Sequence, residues 1–282
     1  MLTIDEFIRN IDYLPPFPRN LVALTELLEE TEVDVDQVVS LIQYDPALTA
    51  LVMRLCNSAY FGAASRASDL REATTRLGFN EIYQLVASLS TAALLRPSQK
   101  GYGIEAGELW RHSVAAGLIG KCIALERDDN PSVVFTACLL HDIGKVVLSR
   151  GLESKYNEVM AETKGLEGTM QAVEKKLLGF DHAEVGGRLL ERWQFAPRLS
   201  EAVRWHHDPA EAGEHARLAA YACLANMIAC FMGFGCGHAA LALRGRTEAL
   251  ELTGTISEDI PRYMTKAFYA LSDLQALLNI QF

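Results

Sequence analysis

The stretch LLHDIGKVVL, residues 139–148, decides the fold, because it sets a histidine and an aspartate between two apolar runs. Upstream, Asn130 and Pro131 predict the start of a helix, since asparagine caps helices well and proline is favoured in the first turn. Apolar residues at helical spacing follow, and they place His141 on the same face. We therefore expect His141 and Asp142 at the end of an apolar helix, with both side chains directed inward.

Asp142 needs a partner if it lies in the interior, because an apolar helix rarely directs an ionised carboxylate inward without one. A metal ion would be such a partner. A salt bridge to Lys145, three residues along the chain, would serve as well. Gly144 is expected to end the helix, because glycine is common just past a helix C-terminus. These residues alone leave both partners of Asp142 open.

Two further histidines lie where helix geometry could bring them to the same place. His112 belongs to an apolar stripe with Leu109 and Ile119, so it is predicted to be buried. A core histidine bonded to a carbonyl is the simplest interpretation of His112 alone. Asp181 is predicted to cap a helix that begins at His182, where the helix N-terminus favours the neutral ring that a metal requires. A surface histidine in the first turn would fit this sequence equally well.

Three more polar residues complete the candidate set. His206 and His207 end a predicted helix, and adjacent helical side chains reach one site only at a helix end. Alternatively, the pair is exposed and stabilises the helix dipole. Asn226 lies on a buried stripe, so its amide must bond to something, either a metal through its oxygen or another helix. Two other histidines, His215 and His238, follow no such pattern and are treated as ordinary.

The whole chain is predicted to be all-α, because apolar residues recur every three or four positions and not every two. Asp34 and Gln37 predict a capping box, and Asn80 predicts another helix start. Glycine-rich breaks at residues 97–107 and 233–237 divide the chain. We therefore predict an N-terminal helical lobe at residues 1–100, a second lobe with the histidines at 101–232, and C-terminal helices at 233–282.

Composition and charge narrow the range of functions. A formal net charge of -10 disfavours direct nucleic-acid binding, because an acidic chain repels phosphate backbones. The six cysteines lack C-x-x-C spacing, and the N-terminus lacks the basic start and apolar run of a signal peptide. The apolar stretch at residues 218–232 is shorter than the about 20 residues that a membrane span requires. We expect a cytoplasmic protein with reduced thiols and no membrane span.

In their order along the chain, His112, His141 with Asp142, His182, and His206 with His207 resemble the metal-site pattern of the HD superfamily. The run LLHDIGKVVL closely resembles the motif that gives this superfamily its name. Residues 14–30, 42–62 and 73–86 look like the HDOD domain, a relative of HD. The resemblance covers residues 14–230, and it implies an HD-like multi-helix bundle with an N-terminal helical lobe.

The resemblance also implies a metal site. In HD phosphohydrolases the first histidine, the His-Asp pair and a late aspartate bind one metal, and the middle histidines bind a second metal in dinuclear members. The ligands carried over to this chain are His112, His141, Asp142, His182, His206, His207 and, in the position of the late aspartate, Asn226. Imidazole and carboxylate ligands without thiolate suit iron, manganese, nickel or zinc, and geometry alone does not separate these metals. We expect iron first, with manganese, nickel or zinc as alternatives, in a site of one or two ions.

Two functions follow from the resemblance. An HD-type phosphohydrolase would use the metal to bind phosphate and activate water, with Asp142 and Lys145 as catalytic residues and a small phosphate-containing ligand. HDOD domains are described instead as signal-transduction modules, which implies a retained metal site, little or no turnover, and signalling proteins as partners in trans. The uncharged Asn226 favours the regulatory module, whereas the intact HDIGK run favours the enzyme. The glycine-tyrosine-proline signature of HD-GYP cyclic-dinucleotide phosphodiesterases is missing, which argues against their substrate. A purely structural role for the histidines is the third interpretation.

Overall fold

Helices form the regular structure of the part of the chain described by the computed structural model, residues 3–9, 19–30, 33–57, 66–163, 169–234 and 246–278. The one exception within these residues is an isolated bridge between Gln99 and Ile104. The predicted all-α class is therefore confirmed. Parts of the segments at residues 14–30 and 42–62, part of the break at 233–237, and His238 lie outside the described residues.

Short helices make up the N-terminal part and longer ones the remainder. The helices are α1 (Ile4–Arg9), α2 (Arg19–Glu26), α3 (Val35–Ile42), α4 (Pro46–Cys56), α5 (Leu70–Leu77), α6 (Phe79–Ser90), α7 (Ala92–Leu95), α8 (Glu108–Ala124), α9 (Pro131–Leu140), α10 (Gly144–Glu153), α11 (Tyr156–Thr163), α12 (Met170–Leu178), α13 (His182–Arg192), α14 (Pro197–Arg204), α15 (Ala216–Phe231), α16 (Arg246–Thr253) and α17 (Ile260–Leu278). Short 3-10 helices lie at Leu27–Glu29, Lys100–Tyr102, Pro209–His215 and Ser257–Asp259. The division of the chain at residues 100 and 232 stays a prediction.

Local capping explains where several helices begin. Asp34 caps α3 in a capping box with Gln37, and Asn130 caps α9 through the amides of the first turn, both as predicted. The expectation that Asn80 caps a helix was wrong. Helix α6 begins two residues earlier than such a cap requires, at Phe79 after Gly78, which takes a positive φ of 79°. The Asn80 side chain instead accepts a hydrogen bond from the Ser132 hydroxyl at 2.7 Å, which joins α6 to the start of α9.

The core that carries the site consists of α8, α9 and α15. Every residue from 132 to 140 in α9 is buried, so this helix is covered on all sides. Helix α8 approaches α9 closely because Gly117 and Gly120 face Phe135 and Cys138, and a methyl group on Gly117 would lie 2.8 Å from the Phe135 ring. This close approach brings the helix that carries His112 against the helix that leads to the His-Asp pair.

Gly144 has a different role from the one predicted. Helix α9 ends at Leu140, residues 141–143 form a turn, and Gly144 is the first residue of α10. A Cβ atom on Gly144 would lie 2.8 Å from both the Gly186 nitrogen and the His182 carbonyl carbon, and closer still to the His182 oxygen. The absence of a side chain at residue 144 thus lets α13 begin directly against the turn that follows α9.

A buried chain of hydroxyl groups links the N-terminal helices to α9. The Tyr83 hydroxyl of α6 lies 2.9 Å from the Thr25 hydroxyl of α2 and 2.6 Å from the Thr136 hydroxyl of α9. All three side chains are buried. The two parts of the chain therefore share a polar contact as well as an apolar interface.

One described stretch, Pro131–Glu153, is long and apolar enough to cross a membrane by length and composition alone. Within the fold, 89% of its apolar window is buried, as in the core helix of a globular protein. The stretch was missed in the sequence because Gly144 was expected to end a helix.

Candidate metal centre

Six predicted site residues converge from four parts of the fold. His112 lies in α8, His141 and Asp142 follow α9, His182 begins α13, and His206 and His207 follow α14. They form two groups whose ligand atoms lie within 4.8 Å of one another in each group. The first triplet is His112, His141 and Asp142, and the second triplet is His182, His206 and His207.

Asp142 joins the two triplets. Its Oδ2 atom lies 3.5 Å from His112 Nε2 and 3.4 Å from His141 Nε2, and its Oδ1 atom lies 3.3 Å from His182 Nε2. The side chain is fully buried. A carboxylate in this position can offer one oxygen atom to each group of imidazoles.

Backbone carbonyls orient three of the five rings. Nδ1 of His112 donates to the Phe234 carbonyl at 2.6 Å, and Nδ1 of His141 and His206 donates to the Cys138 and Val203 carbonyls at 2.7 Å. A carbonyl only accepts, so the proton of each neutral ring resides on Nδ1. The Nε2 lone pair of each ring is then bare and directed into the site, as in metal-binding histidines.

Two buried atoms, one in the second triplet and one on the Asp142 oxygen that faces it, lack a hydrogen-bond partner within the described residues. His182 Nε2 and His207 Nε2 lie 2.9 Å apart, a separation that requires a proton or another cation between two nitrogen lone pairs. His206 Nε2 and Asp142 Oδ1 have no hydrogen-bond partner within the described residues. A proton between His182 and His207 would satisfy neither of these atoms, whereas a metal ion would satisfy all of them together.

Burial keeps most of these rings neutral, which is the form that binds metal. Burial lowers the pKa of His112 to about 3. Burial, together with the neighbouring rings, also holds the pKa values of His206 and His207 well below their usual range. The interpretation of His206 and His207 as an exposed pair is excluded, since His206 is completely buried.

Glu174 of α12 is a member of the site that the sequence did not reveal. Its carboxylate accepts from the His182 backbone amide at 2.8 Å and from His182 Nδ1 at 2.7 Å, and it accepts from the Tyr102 hydroxyl at 2.8 Å. Burial would lower the pKa of His182, but this carboxylate outweighs burial and raises it. Glu174 is fully buried. In the sequence, two lysines follow it, so no periodicity distinguishes it from an acidic residue on the surface.

Lys145 forms the salt bridge that the sequence suggested. Its Nζ atom lies 2.6 Å from Asp142 Oδ2, the oxygen that faces the first triplet. Burial would raise the pKa of Asp142, but His141, Lys145 and His182 together hold it well below its usual range. Asp142 is therefore ionised, and it faces a lysine and three imidazoles at once.

Asn226 of α15 is buried to 8% exposure, and its Oδ1 atom lies 3.6 Å from the Cys230 sulfur. Among the described residues no contact tests whether Asn226 is a metal ligand, so this role stays a prediction. His215 lies at the start of α15 and belongs to neither triplet.

Comparison with known proteins matches this chain to one domain family and to several related proteins. The HDOD domain family matches residues 14–209. A solved HDOD domain protein of unknown function from Geobacter sulfurreducens is 25% identical with a TM-score of 0.78, covering 99% of this chain and 97% of that one. An uncharacterized protein from Treponema pallidum is 27% identical over 228 residues, which is 79% of this chain and 43% of that protein. The chain thus spans less than half of that curated relative.

Two further solved structures share the fold at lower identity. One is a candidate phosphohydrolase from Shewanella amazonensis, 22% identical with a TM-score of 0.72, covering 96% of this chain and 97% of that one. The other is a candidate signal transduction protein from Marinobacter aquaeolei, 20% identical with a TM-score of 0.73, covering 97% of this chain and 60% of that one.

Proposed function

The chain belongs to the HDOD domain family, and on this basis we propose that it is a signal-transduction module whose histidine–aspartate cluster holds a transition metal and turns over little or no substrate. The observation that supports a metal site is that unprotonated imidazole nitrogen atoms converge on a buried carboxylate. Three rings present Nε2 because backbone carbonyls take Nδ1, and His206 Nε2 and Asp142 Oδ1 lack a partner among the described residues.

The ligand chemistry supports a first-row transition metal. Imidazole and carboxylate groups surround the site, and neither triplet contains a thiolate. Iron is the first expectation, with manganese, nickel or zinc as alternatives, and the site would hold one or two ions. When bound, such an ion supplies Lewis acidity toward a phosphate oxygen.

Burial supports low turnover. Four of the histidines in the cluster and Asp142 are at most 1% exposed, and only His207 is partly exposed. A phosphoester would have to reach ligand atoms that the protein shields from solvent on nearly every side. These residues are arranged to hold and enclose an ion more than to admit a substrate.

The remaining parts of the proposal concern partners and compartment. Signalling proteins in trans are the proposed partners, supported by the name of the Marinobacter relative. A cytoplasmic location is supported by the five described cysteines, all of which are free. The net charge of -10 supports the absence of direct nucleic-acid binding.

A metal-dependent phosphohydrolase acting on a small phosphate-containing ligand is the second candidate. The HDIGK run is intact, with Lys145 beside Asp142, and the Shewanella relative is named as a candidate phosphohydrolase. In this function Asp142 would hold the metal, and Lys145 would contact a phosphate oxygen.

Elemental analysis of untagged protein tests the proposal, with Asp142→Ala as the perturbation and His215→Ala as the matched control outside both triplets. We expect bound transition metal in the wild type and in His215→Ala, and its loss in Asp142→Ala. Phosphodiesterase and nucleotidase assays on the loaded protein should show no hydrolysis above the buffer rate. Absence of metal after reconstitution with iron and manganese would refute the proposal. Hydrolysis abolished by Asp142→Ala would establish the second candidate instead.

A further inference from the structure

The two triplets differ in whether a positively charged side chain already neutralises the Asp142 oxygen that faces them. Lys145 Nζ lies 2.6 Å from Asp142 Oδ2, on the side of His112 and His141. The opposite oxygen, Oδ1, faces His182 and has no hydrogen-bond partner within the described residues. One oxygen of the same carboxylate is thus neutralised by a cation of the protein, and the other is left for a cation that the protein does not provide.

The hydrogen bonds of the buried polar atoms show the same difference between the two triplets. In the first triplet, Lys145 satisfies Asp142 Oδ2, and the bare Nε2 atoms of His112 and His141 lie 3.5 and 3.4 Å from that same oxygen. The second triplet has no such partner within the described residues, where His206 Nε2 and Asp142 Oδ1 both remain without a hydrogen bond. Buried polar atoms without partners are costly, which favours an ion at the second triplet only.

The supporting side chains strengthen the second triplet further. Glu174 accepts from His182 Nδ1 and is itself held by the Tyr102 hydroxyl. A carboxylate behind a ligating imidazole raises the basicity of the ring and fixes its orientation. The second triplet therefore offers three imidazoles and one free carboxylate oxygen, whereas the first offers two imidazoles and an oxygen that a lysine holds.

We infer that the chain binds a single transition metal at His182, His206, His207 and Asp142 Oδ1, and that the Lys145 ammonium takes the place of a second ion at the first triplet. This inference rests on the proposed metal site and assigns its occupancy. The ligand class is a divalent first-row transition ion that accepts imidazole and carboxylate donors, and the proposed alternatives include manganese.

Loading metal-free protein with Mn²⁺ tests the occupancy, read out by stoichiometry and by electron paramagnetic resonance. We expect about one equivalent per chain and the hyperfine pattern of an isolated ion. His206→Ala and the less buried His207→Ala should each abolish tight binding, whereas His112→Ala should keep about one equivalent. Circular dichroism of each metal-free variant separates lost binding from lost folding.

Lys145→Met tests the role of the lysine, with Lys176→Met on the surface as the matched control. We expect Lys145→Met to bind about two equivalents with exchange-coupled spins, and Lys176→Met to match the wild type. An exchange-coupled pair in the wild type, or loss of metal in His112→Ala but not in His206→Ala, would overturn the inference. A single ion in Lys145→Met would remove the role of the lysine. Failure of the wild type to bind any metal would instead refute the proposed function.

Discussion

Gly144→Ala should both destabilise the protein and disturb the metal site. The new Cβ atom would lie 2.8 Å from the His182 carbonyl carbon and from the Gly186 nitrogen, whereas ordinary contact begins at 3.4 Å. Helices α10 and α13 would have to separate by more than about 0.6 Å, because the His182 carbonyl oxygen lies closer still to the new Cβ atom and backbone atoms cannot rotate away as a side chain can. We expect a loss of about 3 kcal/mol in the free energy of unfolding. The displaced backbone carries His182, so metal content should fall as well.

Gly151→Ala provides a matched control in the same helix. A Cβ atom on Gly151 would also meet a neighbour at 2.8 Å, but that neighbour is the Phe7 ring, which can move. Alanine also favours a helix over glycine by about 1 kcal/mol, so this variant should lose less than about 1 kcal/mol. Urea unfolding followed by circular dichroism, with metal analysis of each variant, makes the comparison. Equal stability of the two variants would refute the reasoning about α10 and α13.

Three further predictions test other parts of the fold. Glu174→Gln keeps the shape of the side chain and removes its charge, so metal affinity in a chelator competition should fall about tenfold to a hundredfold; unchanged affinity would contradict its role behind His182. Tyr83→Phe should lose about 2 kcal/mol in urea unfolding, because buried threonine hydroxyls lose their partner, whereas Tyr44→Phe, at a residue 86% exposed, should lose nothing measurable. Burial would raise the pKa of Asp129, but hydrogen bonds from Arg217 and Tyr221 outweigh it and lower the pKa below 3.8. A lowered pKa in the folded state stabilises the protein above the unfolded value, and this stability is lost as the pH falls through the folded value. Asp129→Asn should therefore be about 1 kcal/mol less stable at neutral pH, and the gap in urea unfolding should close as the pH falls below 3.8 and through the lower folded value; a gap independent of pH would contradict this assignment.

Features fixed by a few neighbouring residues were predictable from the sequence. Asp34 and Asp181 cap their helices with side-chain oxygens that reach amides only two or three residues away. His112 was correctly placed on a buried face, because its spacing from Leu109 and Ile119 is a property of one helix. Helix geometry allowed the histidines to approach one another, but the resemblance to HD proteins supplied the expectation that they do, since periodicity says nothing about distances between helices.

Features fixed by contacts between helices were not predictable in the same way. Gly144 suggested a helix end by its residue type, but its neighbours are the backbone atoms of α13, about forty residues away. Asn80 suggested a cap, but Ser132 of another helix takes its side-chain oxygen. Glu174 was not singled out in the sequence, where two lysines follow it, and only the fold shows that Tyr102 and His182 surround it.

The acceptors that hold Nδ1 of each histidine ring, here called its anchors, differ in how easily a substitution can remove them. His112, His141 and His206 are held by main-chain oxygens, and every amino acid has such an oxygen. Any residue of fitting volume could replace the one that supplies the anchor and leave the ring in place, so only an insertion, a deletion or a shift of the helix removes it. The anchor of His182 is a side chain, and a single codon change at Glu174 can delete it. Natural variation that switches this site off would therefore be concentrated at Glu174 and at the ligands themselves.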